Sequence, residues 1–248
     1  MVTSNKKTMP KKKKAKKRNI WRKLWKIIWV GILGFLALSI VISFAYKFIN
    51  PPFTILMIQR TFEQTFSSER DVRLKKDWVS IDEISPNMIK AVIASEDNLF
   101  NKHNGFDTKA IERAIEHNKK GKKIRGASTI SQQTAKNVFL WNGRNWVRKG
   151  LETYYTIVIE AFWSKERIME VYLNVIEFGD GIYGVEAASQ TFFNKSAKNL
   201  TKRESALLAS VLPSPLKRNA GKPTKWLNQR ANRVMYLMNK HGRIRLKD

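Results

Sequence analysis

Cysteine is absent from all 248 residues. That excludes a disulfide framework and any thiolate metal site, and it suits an oxidising or a reducing compartment equally. Histidine is scarce. His103, His117 and His241 stand far apart and no H-E-x-x-H occurs, which argues against a histidine zinc site. No G-x-x-x-x-G-K-[ST] is present, so a P-loop nucleotidase is excluded. Ser128 lies in no G-x-S-x-G turn and has no evident His–acid partner, so a serine hydrolase is excluded too. Internal repeats are missing, and strand-type alternation is rare. Acidic residues are few: 20 against 47 Lys and Arg, a formal net charge of +27.

Such an excess of cations implies an anionic partner, whether nucleic acid, phospholipid or a phosphorylated ligand. Its distribution narrows the choice. Residues 1–26 carry twelve Lys or Arg and no acid, and the remainder still holds +15. Directly after this tail, Ile27 to Tyr46 (IIWVGILGFLALSIVISFAY) runs for twenty residues without a charge. As a helix it rises about 30 Å, one hydrocarbon thickness. Trp21, Trp25, Trp29 and Tyr46 sit near its ends, where amphipathic rings favour the interface. The rival is a cleaved signal segment with Ser43 and Ala45 before the cut, for which the stretch is long. The charge bias predicts residues 1–26 as a basic cytoplasmic tail, disordered on anionic headgroups, and everything beyond 46 on the far side. A tail followed by a membrane span speaks against nucleic acid as the partner.

Asn50-Pro51-Pro52 breaks the helix, and residues 47–78 read as a juxtamembrane connector without sustained periodicity. From 79 to 248 the signals are mostly helical. Ser85-Pro86 starts one helix, with Met88, Ile89, Val92 and Ile93 at helical spacing. Asp107 or Thr108 caps a second, through about His117. Helices follow over Thr129–Leu140 and Trp146–Trp163, then after Ser164, after the capping box Thr201-Lys202-Arg203-Glu204, and over Lys225–Lys240. The class is mainly α, with short extended pieces at most.

Two carboxylates stand out. Glu96 follows Val92 by four residues and Ile93 by three, on the apolar stripe and near the helix C-terminus. Burial and the helix dipole both raise a carboxylate's pKa, as a general base near neutrality requires. Spacing alone does not separate this from an ordinary helix-terminal acid. Glu152 follows Arg148 and Lys149 at i+4 and i+3. It reads either as a surface ion pair or as an acid tuned by a phosphate platform. Lys136, Arg144, Arg148 and Lys149 fall close together behind Gln132, Gln133 and Asn137, groups that suit an oxygen-rich anion.

In order, EDNLFNKHNG, GASTISQQTAKN, RKGLE and KERIMEVYLNVIEFGDGIYGVEAASQTFF resemble the peptidoglycan glycosyltransferases of the penicillin-binding-protein type. The likeness runs from about Asp77 to Pro215 and is strongest to the short monofunctional biosynthetic peptidoglycan transglycosylases, so that no transpeptidase domain is expected. The resemblance implies a lysozyme-like helical domain with a small membrane-facing jaw, preceded by one transmembrane helix. It implies polymerisation of lipid II at the outer face of the cytoplasmic (inner) membrane, with the domain in the periplasm. Carried over by motif, Glu96 is the base that takes the proton of the attacking 4-hydroxyl, and Glu152 assists at the donor diphosphate. Asp97, Phe100 and His103 match the rest of the first motif. Ser128, Thr129, Gln132, Gln133, Lys136 and Asn137 match the second, and Arg148 and Lys149 the third. Arg144 falls where a phosphate-binding arginine is implied. A divalent cation, Mg or Mn, is conceivable at the diphosphate, although no metal-ligand cluster is evident and no cofactor is required. Expected partners are lipid II, the growing glycan, membrane lipid and cell-wall synthesis or division proteins. Lys165, Tyr172, Asn174, Gly179, Gly181 and Gly184 are expected to shape the core and donor cleft. Glu177 and Glu186 are expected in networks, and Lys119 to Arg125 as a mobile jaw loop. The rivals are a lysozyme-like glycan-cleaving enzyme, which needs no diphosphate platform, and a non-enzymatic membrane-anchored scaffold.

Overall fold

The computed structural model describes residues 13–67, 71–121, 126–143, 145–242 and 244–246. It divides into two compact units, one ending at Ala45 and one beginning at Tyr46. The first is a single helix, α1 (Lys13–Ala45), 33 residues long. Its stretch Ile20–Ala45 is long and apolar enough to cross a membrane. Along it Trp21, Trp25 and Trp29 are exposed, and the Trp25 and Trp29 rings meet edge to face with centroids 6.0 Å apart. The helix starts earlier than the apolar run alone suggested: of the tail expected over residues 1–26, residues 13–26 are helical and residues 1–12 lie outside the described residues. Lys, Arg and Leu have good helix propensity, and an adjoining long helix supplies the nucleus that a short segment lacks.

The second unit is mainly α. It contains α2 (Ile55–Thr65), α3 (Pro86–Glu96), α4 (Thr108–Lys119), α5 (Ile130–Phe139), α6 (Trp146–Phe162), α7 (Lys165–Val175), α8 (Val185–Phe193), α9 (Lys202–Val211) and α10 (Lys225–Lys240). Most starts follow the chemistry of the cap. Ser85 accepts from the Asn87 N–H with Pro86 at the first helical position, Asp107 accepts from Ala110, Ser164 from Arg167, and Thr201 and Glu204 form a capping box.

Three short strands, β1 (Lys75–Lys76), β2 (Glu177–Gly179) and β3 (Ile182–Tyr183), make one small sheet in the order β1-β3-β2. Lys75 pairs with Ile182 in parallel, and β2 runs antiparallel to β3 with a bulge between Glu177 and Gly179. The chain enters α8 through Gly184 at φ +83°, where a Cβ would stand 2.8 Å from the Asn174 carbonyl oxygen. Only glycine fits so close an approach at that φ.

Residues 47–78 are therefore not a loose connector. Thr54 caps α2 by accepting from the Met57 N–H, and Met57 is fully buried. Periodicity hid this helix because it shows apolar residues on two sides: Leu56 and Met57 face the core while Ile55, Ile58 and Phe62 remain exposed. Lys76 Nζ donates to the Pro51 and Pro52 carbonyls at 2.5 and 2.7 Å, and Arg167 donates to Tyr46 and Ile49 carbonyls. The folded unit thus begins some thirty residues before position 79.

In the core α5 packs against α6 and α7, and α9 packs against α3 and α10. Tyr172, Tyr183, Phe100 and Phe178 are among its largest fully buried side chains. Phe139 stacks on Tyr155 with ring centroids 4.4 Å apart, joining α5 to α6. Asn174 holds the segment before α3, its amide exchanging two hydrogen bonds with the Val79 backbone at 2.9 and 3.0 Å.

Candidate active site

Two cavities open side by side and share Ser128 and Pro213 in their walls. The first, about 670 Å³, is lined by Glu96 and Asp97 from the end of α3, Arg113 from α4, Ser128 and Thr129 ahead of α5, and Arg230 and Arg233 from α10. The second, about 410 Å³, is lined by Arg60 of α2, Gln133, Lys136 and Asn137 of α5, Arg148, Lys149 and Glu152 of α6, and Glu177 of β2. Together they form a groove with carboxylates in both halves.

Glu96 is the last residue of α3, and its side chain is 14% exposed. Burial pushes its carboxyl above the ordinary glutamate value, and the neighbouring Asp97 adds to this. A hydrogen bond from Gln133 Nε2 to Oε2, 3.1 Å, and the Arg230 guanidinium 4.0 Å from Oε1 oppose the rise without cancelling it. The sequence anticipated both the place and the direction.

Asp97 does not reach outward in the same way. His103 Nε2 lies 3.0 and 3.1 Å from its two oxygens, and the Ile130 N–H donates to Oδ2 at 3.1 Å. Asp97 therefore ties the end of α3 to the start of α5. Thr129 and Gln132 complete that start as a capping box, and the Thr129 hydroxyl donates to the Gly105 carbonyl at 2.7 Å. Phe100 is fully buried beneath the Lys165 ammonium, 4.6 Å from the ring centroid. Phe100, His103 and Gln132 line neither cavity. They hold the wall from behind, whereas motif matching grouped them with substrate-binding residues. Arg144 and residues 122–125 of the basic loop lie outside the described residues.

Glu152 is almost wholly buried, its side chain 4% exposed, and it is no surface pair. Arg148 Nη1 donates to Oε2 at 2.7 Å, and the Lys149 ammonium donates to Oε1. The fork arises because Arg148 and Lys149 stand four and three residues before Glu152 on α6, a helix that Asn145 starts by accepting from the Arg148 N–H. Burial lowers the Lys136 pKa, and the cations Arg148, Lys149 and Arg60 lower it further against the pull of Glu152. This half-groove thus gathers four cations, Arg60, Lys136, Arg148 and Lys149, around two carboxylates. The second carboxylate, Glu177, sits 3.4 Å from Arg60 and is raised in pKa mainly by burial. Glu186, by contrast, accepts from the Ala197 N–H and Gln190, outside the groove.

Arg60 and Arg230 were not singled out from the sequence. Arg60 lay in a segment read as connector. Arg230 lies on α10, over 130 residues from Glu96 in the chain; its Nε is buried without a hydrogen-bond partner among the described residues, and its guanidinium stands 5.9 Å from the Trp226 ring centroid. The only local signal was a basic residue beside the apolar stripe Leu227, Ala231, Val234, Met238.

The groove has counterparts. The profile of the family described as Transglycosylase matches residues 63–239. The chain is 50% identical over 218 residues to the biosynthetic peptidoglycan transglycosylase of Bdellovibrio bacteriovorus, covering 88% of this chain and 87% of that protein. It is 50% identical to the protein of that name from Bacteroides thetaiotaomicron, with 84% of each chain covered, and 47% identical to that from Cronobacter sakazakii, with 90% and 93% covered. The family profile begins within α2, in accord with a folded unit that starts before residue 79, and ends within one residue of the end of α10. With a match spanning most of the chain and both halves of the groove, this protein belongs to the transglycosylase family.

Proposed function

We propose that this chain is a peptidoglycan glycosyltransferase that polymerises lipid II into β-1,4-linked glycan, releasing undecaprenyl diphosphate. One observation carries the reading: a desolvated carboxylate and a four-cation cleft occupy two halves of one groove. The growing glycan lies in the cationic half as donor. The 4-hydroxyl of the incoming lipid II enters the other half and attacks C1 with inversion. The C1–O4 bond forms as the C1–O(phosphate) bond breaks, Glu96 accepts the hydroxyl proton, and the electron pair leaves on the diphosphate. A sugar hydroxyl is a poor nucleophile near neutrality, so a base is needed. A diphosphate is a good leaving group, so charge stabilisation by Lys136, Arg148 and Lys149 matters more than an acid. Glu152 orients the last two.

The residues present do not fit a protein-held divalent ion. Arg148 and Lys149 occupy both Glu152 oxygens, and no group of three His, Asp or Glu side chains gathers among the described residues. A Mg or Mn ion would ride on the diphosphate. We further propose that α1 anchors the chain in the cytoplasmic membrane with residues 1–26 inside and the catalytic unit at the outer, periplasmic face. The exposed Ile55, Ile58, Phe62 and Phe66 support a membrane-facing jaw.

Purified full-length protein with lipid II in detergent should yield glycan polymer, and added EDTA should change the rate by no more than about threefold, as expected where fixed cations supply the charge. Breakdown of finished sacculi without polymer formation would replace this reading with the glycan-cleaving one, and neither activity would leave a scaffold.

A further inference from the structure

Gln133 donates to Glu96 and is itself held from the far side. Its Oε1 accepts a hydrogen bond from the Tyr172 hydroxyl at 3.2 Å, while its Nε2 reaches Glu96 Oε2 at 3.1 Å. Tyr172 is fully buried on α7, its ring part of the core and its hydroxyl directed at Gln133. A primary amide carries donors on one end and an acceptor on the other, so what faces Glu96 depends on which end is anchored. If the amide turned over, its oxygen would oppose an ionised carboxylate. A tyrosine hydroxyl donating to Oε1 disfavours that alternative, because the turned amide would leave the phenol only as an acceptor and set an oxygen against the carboxylate.

We propose that Tyr172 is a positioning residue for the base: acting through Gln133, it fixes the amide so that an N–H is presented to ionised Glu96, the form that accepts the proton. The proposal rests on Glu96 being the base. Tyr172 suits the task because burial, with the charges of Glu96 and Asp97, holds its phenol far above the ordinary value, so it remains a donor throughout the working pH range. The relay runs α7 to α5 to α3 and uses two residues that the sequence motifs treated separately. A donor to an ionised group polarises its neighbours along the chain, so the two bonds strengthen each other.

The other charged groups near Glu96 are Asp97 on the same helix end, Arg230 and Arg233 of α10, Arg113 of α4, and Asp107 at the start of α4. All are retained in the variants that test the relay. In Tyr172→Phe the buried ring stays and only the hydroxyl goes. A freed amide stabilises the Glu96 charge less, so the carboxyl pKa rises. The acid limb of the kcat/KM profile for lipid II polymerisation should move up by about 0.5 to 1 pH unit. Turnover should fall about three- to tenfold on the acid side and less on the alkaline side, with KM within about twofold. Gln133→Met should give the same shift, and Tyr172→Phe should then add little to it.

An unmoved acid limb in a folded Tyr172→Phe protein, or full additivity of the two substitutions, overturns the relay. Should Tyr172→Phe fail to fold, the limb of Gln133→Met decides, since an unmoved limb there leaves Tyr172 nothing to act through. Glu96→Gln in parallel separates the two levels: if it retains activity the base assignment fails, and if it is inactive while the acid limb of Tyr172→Phe is unmoved, only the relay fails.

Discussion

Glu96 and Glu152 are both largely buried carboxylates at the end or on the face of a helix, yet their surroundings are opposite. Glu96 has one amide donor and a guanidinium 4.0 Å away. Glu152 is clamped between an arginine and a lysine. At Glu96 burial outweighs one amide donor and a guanidinium at 4.0 Å and raises the pKa, whereas both Glu152 oxygens are bound by cations that the carboxylate holds in order. The proposed function accordingly gives the same side chain proton transfer in one half of the groove and alignment of a phosphate platform in the other.

The sharpest way to break that comparison is Glu96→Gln. The substitution keeps shape and the contact to Gln133 while removing basicity. Polymerisation should fall by about 10² to 10⁴, the usual worth of a placed general base, with the circular dichroism spectrum and melting temperature close to the parent's. Parent-like rates from the folded variant would make Glu96 no different in kind from Glu152.

Glu152→Gln probes the other half. A neutral amide can still accept from Arg148 but no longer balances two cations beside Lys136. Breaking the charge on one side of a buried pair costs about 3 kcal/mol in unfolding free energy, which urea denaturation would register. Activity should fall about 10- to 100-fold through misaligned cations, a smaller loss than at Glu96. The order of the two losses is the test: a greater loss at 152 than at 96 would reverse the roles.

The sequence disclosed these two halves unequally. Glu96 was legible because one helix carries its own evidence: a Ser-Pro start, an apolar stripe, and an acid falling on that stripe at the C-terminal end. The ion pairs of Glu152 were legible as spacing, but their burial was not, since an i,i+4 pair looks the same on a wet face as against α5. Helix caps at Ser85, Asp107, Ser164 and Thr201 were readable because capping is a contact within four residues. What stayed hidden depended on distant packing. α2 presents apolar residues on two sides, so its period was blurred. α8 is opened by Gly184, which offers no capping side chain, and it follows directly on the strands. Arg230 meets Glu96 only because α10 folds back beside α3, and no local pattern records that approach. Phe100, His103 and Gln132 were recognised by motif, yet a motif does not say whether a residue faces the ligand or stands behind one that does.

Lys149→Ala gives the smallest effect and sharpens the contrast within the cationic half. The Lys149 side chain is 39% exposed, against 11% for Arg148, so water already screens much of its charge. Arg60, Lys136 and Arg148 remain to meet a diphosphate after its removal. An exposed cation of this sort is worth roughly 0.2 to 1 kcal/mol, which corresponds to a loss in kcat/KM of up to about fivefold, carried mainly by KM. Because salt weakens exposed charges more than buried ones, the gap between variant and parent should narrow between about 0.1 and 1 M ionic strength as the Debye length shrinks from about 10 to 3 Å. A loss that instead appears in kcat and does not respond to salt would mean that Lys149 carries more of the departing diphosphate's charge in the transition state than its exposure suggests, and that Lys136 and Arg148 do not make up for it.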